Sequence, residues 1–259
     1  MSEKWATGDA YEYFMGRWSK EVASLFLDWL NFSPNQTWLD LGCGTGALTR
    51  AITTTTQPKS VIGIDRSENF IQYAQLKNGD VNFLVADGSK LPFPDHSFDN
   101  VVSGLALNFI PQPLQAVKDM YRITKSGGVV ATYLWDYTGK MEFLRYFWDA
   151  VTELDKSAMP LHEGNRFPIC QPEPLRQLWS QAGFKQITVE AIDIPTPFDN
   201  FDSYWKPFTL GNFPAPNYVS TLNESQRNRL YEHLKQTVPT KADGSIQLIA
   251  RVWAICGYK

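Results

Sequence analysis

From residue 37 onward the chain alternates short apolar runs with helix-length amphipathic segments, and this alternation admits few folds. TWLDLG (37–42) reads as a strand, and ALTRAI (47–52) opens a helix that the threonines at 53–56 finish. SVIGID (60–65) is a second strand, followed by helical SENFIQYAQLK (67–77) with Phe70, Ile71, Ala74 and Leu76 on one face. VNFLVAD (81–87) is a third strand and FDNVVSGLAL (98–107) a fourth. Helical LQAVKDMYRIT (114–124) is expected to stop at Ser126-Gly127-Gly128, before a fifth strand, VVATYLW (129–135). Near-continuous apolar strands separated by helices imply a parallel sheet covered on both faces and built from right-handed crossovers.

After Asp136 the rhythm breaks. PEPLRQLWSQAGF (172–184) is a helix with Pro near its start and Gly183 near its end. QITVEAIDI (186–194) and SIQLIARVWAICGYK (245–259) supply a sixth and a seventh strand. The expected architecture is one α/β domain over 1–259, a doubly wound, mostly parallel seven-stranded sheet. Residues 1–33 form an N-terminal helical lid and 34–136 a cofactor-binding half. Segments 137–172 and 197–240 are helical, aromatic-rich caps, and 173–196 and 241–259 complete the sheet.

The net charge of -3 exerts no global pull on nucleic acid or on an anionic membrane. Cys43, Cys170 and Cys256 are widely separated, and the three histidines do not cluster near them, so neither a disulfide framework nor a metal site is indicated. The N-terminus lacks the basic-then-apolar order of a signal peptide, and no apolar run approaches the roughly 20 residues that span a bilayer. The expected location is the cytoplasm.

Between the first strand and its helix lies Asp40-Leu41-Gly42-Cys43-Gly44-Thr45-Gly46. Glycines there let the backbone turn sharply and approach a ligand, beside a helix N-terminus. With Ala47 the string also satisfies a relaxed dinucleotide fingerprint, and Asp65 stands near the spacing of a ribose-binding acid. Asp40 separates the two readings. A carboxylate at this point repels a pyrophosphate and attracts an ammonium or sulfonium. Opposite charges ~4 Å apart attract by ~4 kcal/mol at an effective dielectric of ~20, before desolvation. Asp65 ends the second strand, where a carboxylate accepts ribose hydroxyls, and Asp87-Gly88 ends the third, where an adenine amine is within reach. The bland alternatives are a turn-capping Asp40 and a helix-capping Asp65.

Taken together, LDLGCGTG, GID, ADGSKLPFPDHSFD and SGGVVATYLWD, in this order over residues 37–136, resemble the class I S-adenosylmethionine-dependent methyltransferases, in particular the small-molecule branch called type 11. The resemblance implies a Rossmann-like methyltransferase fold with S-adenosyl-L-methionine as cofactor. It assigns Asp40, Gly42 and Gly44 to the methionine portion, with Cys43 among the cofactor-binding residues, Asp65 and Arg66 to the ribose and adenine face, and Asp87 and Gly88 to the adenine edge. Ser103 through Leu105 would lie beneath the methionine and the transferred methyl. Upstream, YEYFMGRWS resembles the segment that closes over the cofactor in this branch, which makes Arg17 a candidate for the methionine carboxylate.

Methyl transfer from a sulfonium is an in-line displacement in which the protein mainly aligns the acceptor and excludes water. For a hydroxyl or phenol acceptor a base helps; His162, in a cap segment, and Tyr11, on the lid, are the candidates. Trp135, Tyr137, Phe143, Tyr146, Phe147, Trp148 and Trp205 either line a pocket for a flat or lipophilic small molecule or form plain core. The acceptor is expected to be a small molecule rather than nucleic acid; its identity and the oligomeric state stay open. So do three other classes: a non-catalytic adenosyl-cofactor-binding protein, a cyclopropane-synthase-like lipid-modifying enzyme, and an NAD-dependent oxidoreductase.

Overall fold

The structure, a computed structural model, describes residues 15–210 and 213–259. Its chain divides into two compact units. The first, here the sheet unit, comprises Gly16–Leu134, Ile169–Ile192 and Val252–Lys259; the second, the helical unit, comprises Trp135–Pro168 and Asp193–Arg251 together with Met15.

In the sheet unit α1 (Arg17–Leu30) buries Trp18, Val22, Ala23, Phe26 and Leu27, the stripe of an amphipathic helix. Asn31, in the left-handed region at φ 47°, ends it. β1 (Thr37–Leu41), α2 (Ala47–Thr55), β2 (Ser60–Asp65), α3 (Glu68–Asn78), β3 (Asn82–Val85), β4 (Phe98–Gly104), α4 (Pro113–Ile123) and β5 (Thr124–Trp135) follow in strict alternation but for the direct step from β3 to β4. β1 pairs in parallel with both β2 and β4, β2 with β3, and β4 with β5. Trp38, Leu39 and Leu41 are buried on alternate faces of β1, as a sheet covered on both sides requires. The threonines that end α2 donate their hydroxyls back to Arg50, Ala51 and Ile52 carbonyls, closing the last turn.

The seven strands take the order β3-β2-β1-β4-β5-β7-β6, with β6 Lys185–Phe198 and β7 Ile246–Tyr258. β7 is antiparallel to β5, because Gly127 and Gly128 near the start of β5 bond to Lys259 at the end of β7. The sheet is the expected doubly wound, mostly parallel one. Its order reverses between β1 and β4, and in such sheets ligands bind outside the carboxyl ends of the strands at that point.

Two local expectations fail. Ser126-Gly127-Gly128 does not stop α4. The helix ends at Ile123, where the Thr124 hydroxyl donates to the Met120 carbonyl, and β5 begins at once by pairing Thr124 with Phe98. Gly128 lies inside that strand, and a Cβ there would stand 2.5 Å from the Asp99 carbonyl oxygen. Leu76 is 85% exposed and does not share the α3 core face, which consists of Phe70, Ile71 and Ala74.

In the helical unit, α5 (Glu142–Leu154) is followed by the short α6 (Glu163–Arg166); α7 (Pro172–Ala182) returns to the sheet unit, where Gly183 caps it in the left-handed region. α8 (Phe201–Trp205), α9 (Pro214–Thr221) and α10 (Glu224–Thr237) complete the helical unit. Phe143 and Phe147 are fully buried and stack on Phe208, with ring centroids 4.6 and 4.3 Å apart. These two are core; Tyr146 and Trp205 stay half-buried.

Candidate adenosyl site at the sheet switch point

β1 delivers the chain to the switch point, and the glycine loop folds back across the end of β2. The Gly42 and Cys43 N–H groups both donate to the Ile64 carbonyl, at 2.8 and 2.9 Å. Gly42 holds φ +72°, and a Cβ there would lie 2.3 Å from the Ala106 Cβ, so this position must be glycine for the loop to sit against the segment after β4. Gly44 holds φ +53°, and a Cβ there would meet nothing within 4 Å among the described residues. The Cys43 thiol turns the other way, into a core of Ile71, Ala74 and Phe83, and burial raises its pKa well above the ordinary value.

Asp40 is fully buried. Its Oδ2 accepts from the Thr49 hydroxyl at 2.6 Å, and Oδ1, also buried, has no hydrogen-bond partner among the described residues. Burial pushes its pKa up to about 7, with the Thr49 bond opposing the rise and the nearby Asp65 charge adding to it. Asp40 thus ties β1 to α2 through one oxygen and leaves the other uncompensated among the described residues, an arrangement that calls for a cationic or hydrogen-donating ligand.

Asp65 is placed by two backbone donors. Ser67 N–H bonds to Oδ1 at 2.8 Å and Gly44 N–H to Oδ2 at 3.1 Å, which ties the end of β2 to the glycine loop. Burial raises its pKa despite these bonds. Ser67, not Asp65, caps α3. Asp87 is exposed and holds Ser89 N–H at 2.9 Å, while Arg66 is exposed beside Asp65. Gly88 lets the chain approach Leu41 and Ile110, whose side chains a Cβ would meet at 3.0 and 2.9 Å.

At the end of β4, Ser103 is fully buried and spends its hydroxyl on the Leu41 carbonyl at 2.8 Å. Leu105 takes φ +58°, a strained value for a branched side chain, held by its N–H bond to the Tyr133 carbonyl. Two partners escape sequence inspection. Thr49 is a fully buried polar residue on the apolar face of α2, and that anomaly is its only signal. Asn108 lies in a 3-10 turn, Leu107–Phe109, with its amide nitrogen buried and unpartnered among the described residues.

Arg17 lies over the Trp18 ring, with its guanidinium carbon 4.6 Å from the centroid. Tyr11 lies outside the described residues. In the helical unit, His162 is the N-cap of α6: Nδ1 accepts from Gly164 N–H at 3.0 Å, and Nε2 lies 3.5 Å from Asp149 Oδ1. Both ring nitrogens are engaged, which leaves no free lone pair for proton abstraction. His162→Ala is expected to lower stability by about 1 kcal/mol through loss of the cap, as read by denaturant unfolding. A base role would show instead as lost turnover with stability unchanged. The described residues contain no group of three or more His, Cys, Asp or Glu able to hold a metal ion, and no helix long and apolar enough to cross a membrane.

Residues 39–132, the span that holds this loop and both acids, match the type 11 family described as Methyltransferase domain. The chain is a class I S-adenosylmethionine-dependent methyltransferase. The methyltransferase is 28% identical over 189 residues to a demethylmenaquinone methyltransferase of Staphylococcus epidermidis, a match covering 68% of this chain and 77% of that one. Among solved structures it resembles the YcgJ protein of Bacillus subtilis, with a TM-score of 0.59, 18% identity and coverage of 92% and 98% of the two chains. It also resembles phosphoethanolamine N-methyltransferase 2 of Haemonchus contortus in complex with S-adenosyl-L-methionine, with a TM-score of 0.59 and 19% identity, covering 97% of this chain and 56% of that one. These two likenesses bear on the fold. The family match decides against the oxidoreductase reading that the glycine loop alone left open.

Proposed function

We propose that this methyltransferase methylates a flat, lipophilic small molecule in the cytoplasm, with its adenosyl cofactor held at the carboxyl ends of β1, β2 and β3. The observation that carries the site assignment is the buried Oδ1 of Asp40, which has no hydrogen-bond partner among the described residues, beside the glycine loop. The residues present fit the cofactor. Asp40 would accept from the ammonium of the methionine portion, with the Gly42–Gly44 backbone beneath it. Asp65 keeps acceptor capacity for the ribose hydroxyls after binding Gly44 and Ser67, since a carboxylate offers about four lone-pair sites. Asp87 and Gly88 would meet the adenine edge, and Arg17 the methionine carboxylate. When bound, the sulfonium supplies an already activated methyl group.

The chain's own residues therefore bind, orient and exclude water. Asp65→Ala is expected to weaken S-adenosylhomocysteine binding by about 1–3 kcal/mol, the range of a lost polar contact, in a calorimetric titration. Affinity equal to the parent's would place the ribose elsewhere.

The flat, lipophilic character of the acceptor is supported by the aromatic richness of the helical unit and by the likeness to a demethylmenaquinone methyltransferase. A scan of acceptors with labelled methyl donor is expected to label aromatic phenols and quinols. Labelling confined to small polar acceptors would refute this choice of substrate class.

A further inference from the structure

The helical unit carries its own cluster of polar groups, in which Trp148 is fully buried while Arg145 and Asp149 are half-buried. Arg145 and Trp148 stand three residues apart on α5, the spacing that sets two side chains on one helix face. Arg145 Nη1 donates to Asp149 Oδ2 at 3.1 Å, and Asp149 Oδ1 lies 3.5 Å from His162 Nε2. Trp148 is fully buried, with its ring centroid 6.5 Å from that of His162 and 5.9 Å from that of Tyr218.

Two N–H groups in this cluster have no acceptor among the described residues: Arg145 Nε and Trp148 Nε1, both buried. Several nearby polar side chains are already committed. His162 Nδ1 caps α6, Tyr218 donates to Asp155 Oδ2, and Tyr204 donates to the Phe143 carbonyl. Asp149 faces both the guanidinium and the imidazole, and its bond to Arg145 Nη1 leaves the Arg145 Nε–H unanswered. A buried donor left unpaired is destabilising, and a charged one more so. Both groups are pure donors, and one is permanently cationic. Their complement is an anionic oxygen, and the rings around them suit a flat aromatic body.

We propose that Arg145 and Trp148 bind the anionic oxygen of an aromatic carboxylate or phenolate within the helical unit. This rests on the reading of the acceptor as flat and aromatic, and it names that molecule's polar handle.

Calorimetric titration of the full chain with 2-naphthoate and with the neutral 2-naphthamide tests it. The parent is expected to prefer the anion by tenfold or more. Arg145→Lys, which keeps a cation beside Asp149 but lacks the Nε–H, and Trp148→Phe are each expected to weaken naphthoate binding about tenfold while retaining affinity for S-adenosylhomocysteine. Equal binding of the two probes by the parent, or of naphthoate by parent and variants, overturns the proposal. If a variant also loses S-adenosylhomocysteine, the Trp148 indole N–H resonance of the parent decides: it must move when naphthoate is added, and an unmoved resonance overturns the proposal. Failure of the parent to bind S-adenosylhomocysteine would strike the adenosyl site instead and leave the naphthoate comparison standing.

Discussion

S-adenosylhomocysteine binding is expected to weaken about tenfold per pH unit as pH falls below 7, and to level off above it. The proposed contact requires an ionised Asp40, whereas burial raises this carboxyl to about 7 in the free protein, so binding below that pH must expel a proton. Each unit corresponds to about 1.4 kcal/mol, so two units of acidification remove about 2.7 kcal/mol of affinity. Titrations at pH 6 in buffers of different ionisation enthalpy should report close to one proton released. Asp40→Asn should bind weakly at pH 8 and lose the slope.

The same group has the opposite effect on the free protein. A carboxyl with a raised native pKa favours the fold below its unfolded value and loses that contribution as pH rises through about 7. At pH 8 the burial of ionised Asp40 therefore costs several kcal/mol, on the order of 4 from the span between the ordinary carboxyl value of 3.8 and about 7. Asp40→Asn should unfold at higher denaturant than the parent at pH 8, with the gap closing near pH 4. A pH-independent affinity in the parent between pH 5.5 and 8 would dismiss Asp40 as the cation's partner.

Gly42→Ala is expected to abolish measurable S-adenosylhomocysteine binding and to destabilise the fold by roughly 2–5 kcal/mol. Two causes add. A left-handed residue with a Cβ is strained by about 1–2 kcal/mol, and the new methyl would lie 2.3 Å from the Ala106 Cβ. Ala106 has no flexible end to swing aside, so either the glycine loop or the segment after β4 must move, and the loop carries Gly44 and its bond to Asp65. The double variant with Ala106→Gly removes the collision but keeps the backbone strain, so it should recover part of both losses in a mutant cycle. Parent-like stability and affinity in Gly42→Ala would mean that this close approach does not hold the loop.

Much of this molecule was legible in one dimension. The alternation of apolar runs and helical stripes marked β1 through β5 and their helices, because burial on one face or on both repeats within a few residues. Gly42 and Gly44 were legible because positive φ at a strand-to-helix turn selects residue type locally. Asp40 and Asp65 were legible as strand-end acids. Misreadings occurred where a distant partner overrides local preference. Ser126-Gly127-Gly128 carries a loop's composition yet pairs in β5, since β4 lies alongside from Phe98. Leu76 fits a helical stripe yet faces outward, where none of the described residues covers it.

The sequence by itself thus determined the doubly wound sheet, the adenosyl-type loop and the signs of charge around it, all consequences of periodicity and turn chemistry within short windows. Only the tertiary structure decided which polar atoms are satisfied. Asp40 on β1 meets Thr49 on α2 at a separation of 9 residues, Asp65 meets Gly44 at a separation of 21, and Ser103 gives its hydroxyl to Leu41 at a separation of 62. His162 became a cap, and Arg145 and Trp148 keep buried donors with no acceptor among the described residues, because the fate of a buried hydrogen-bonding group depends on what the rest of the chain brings beside it.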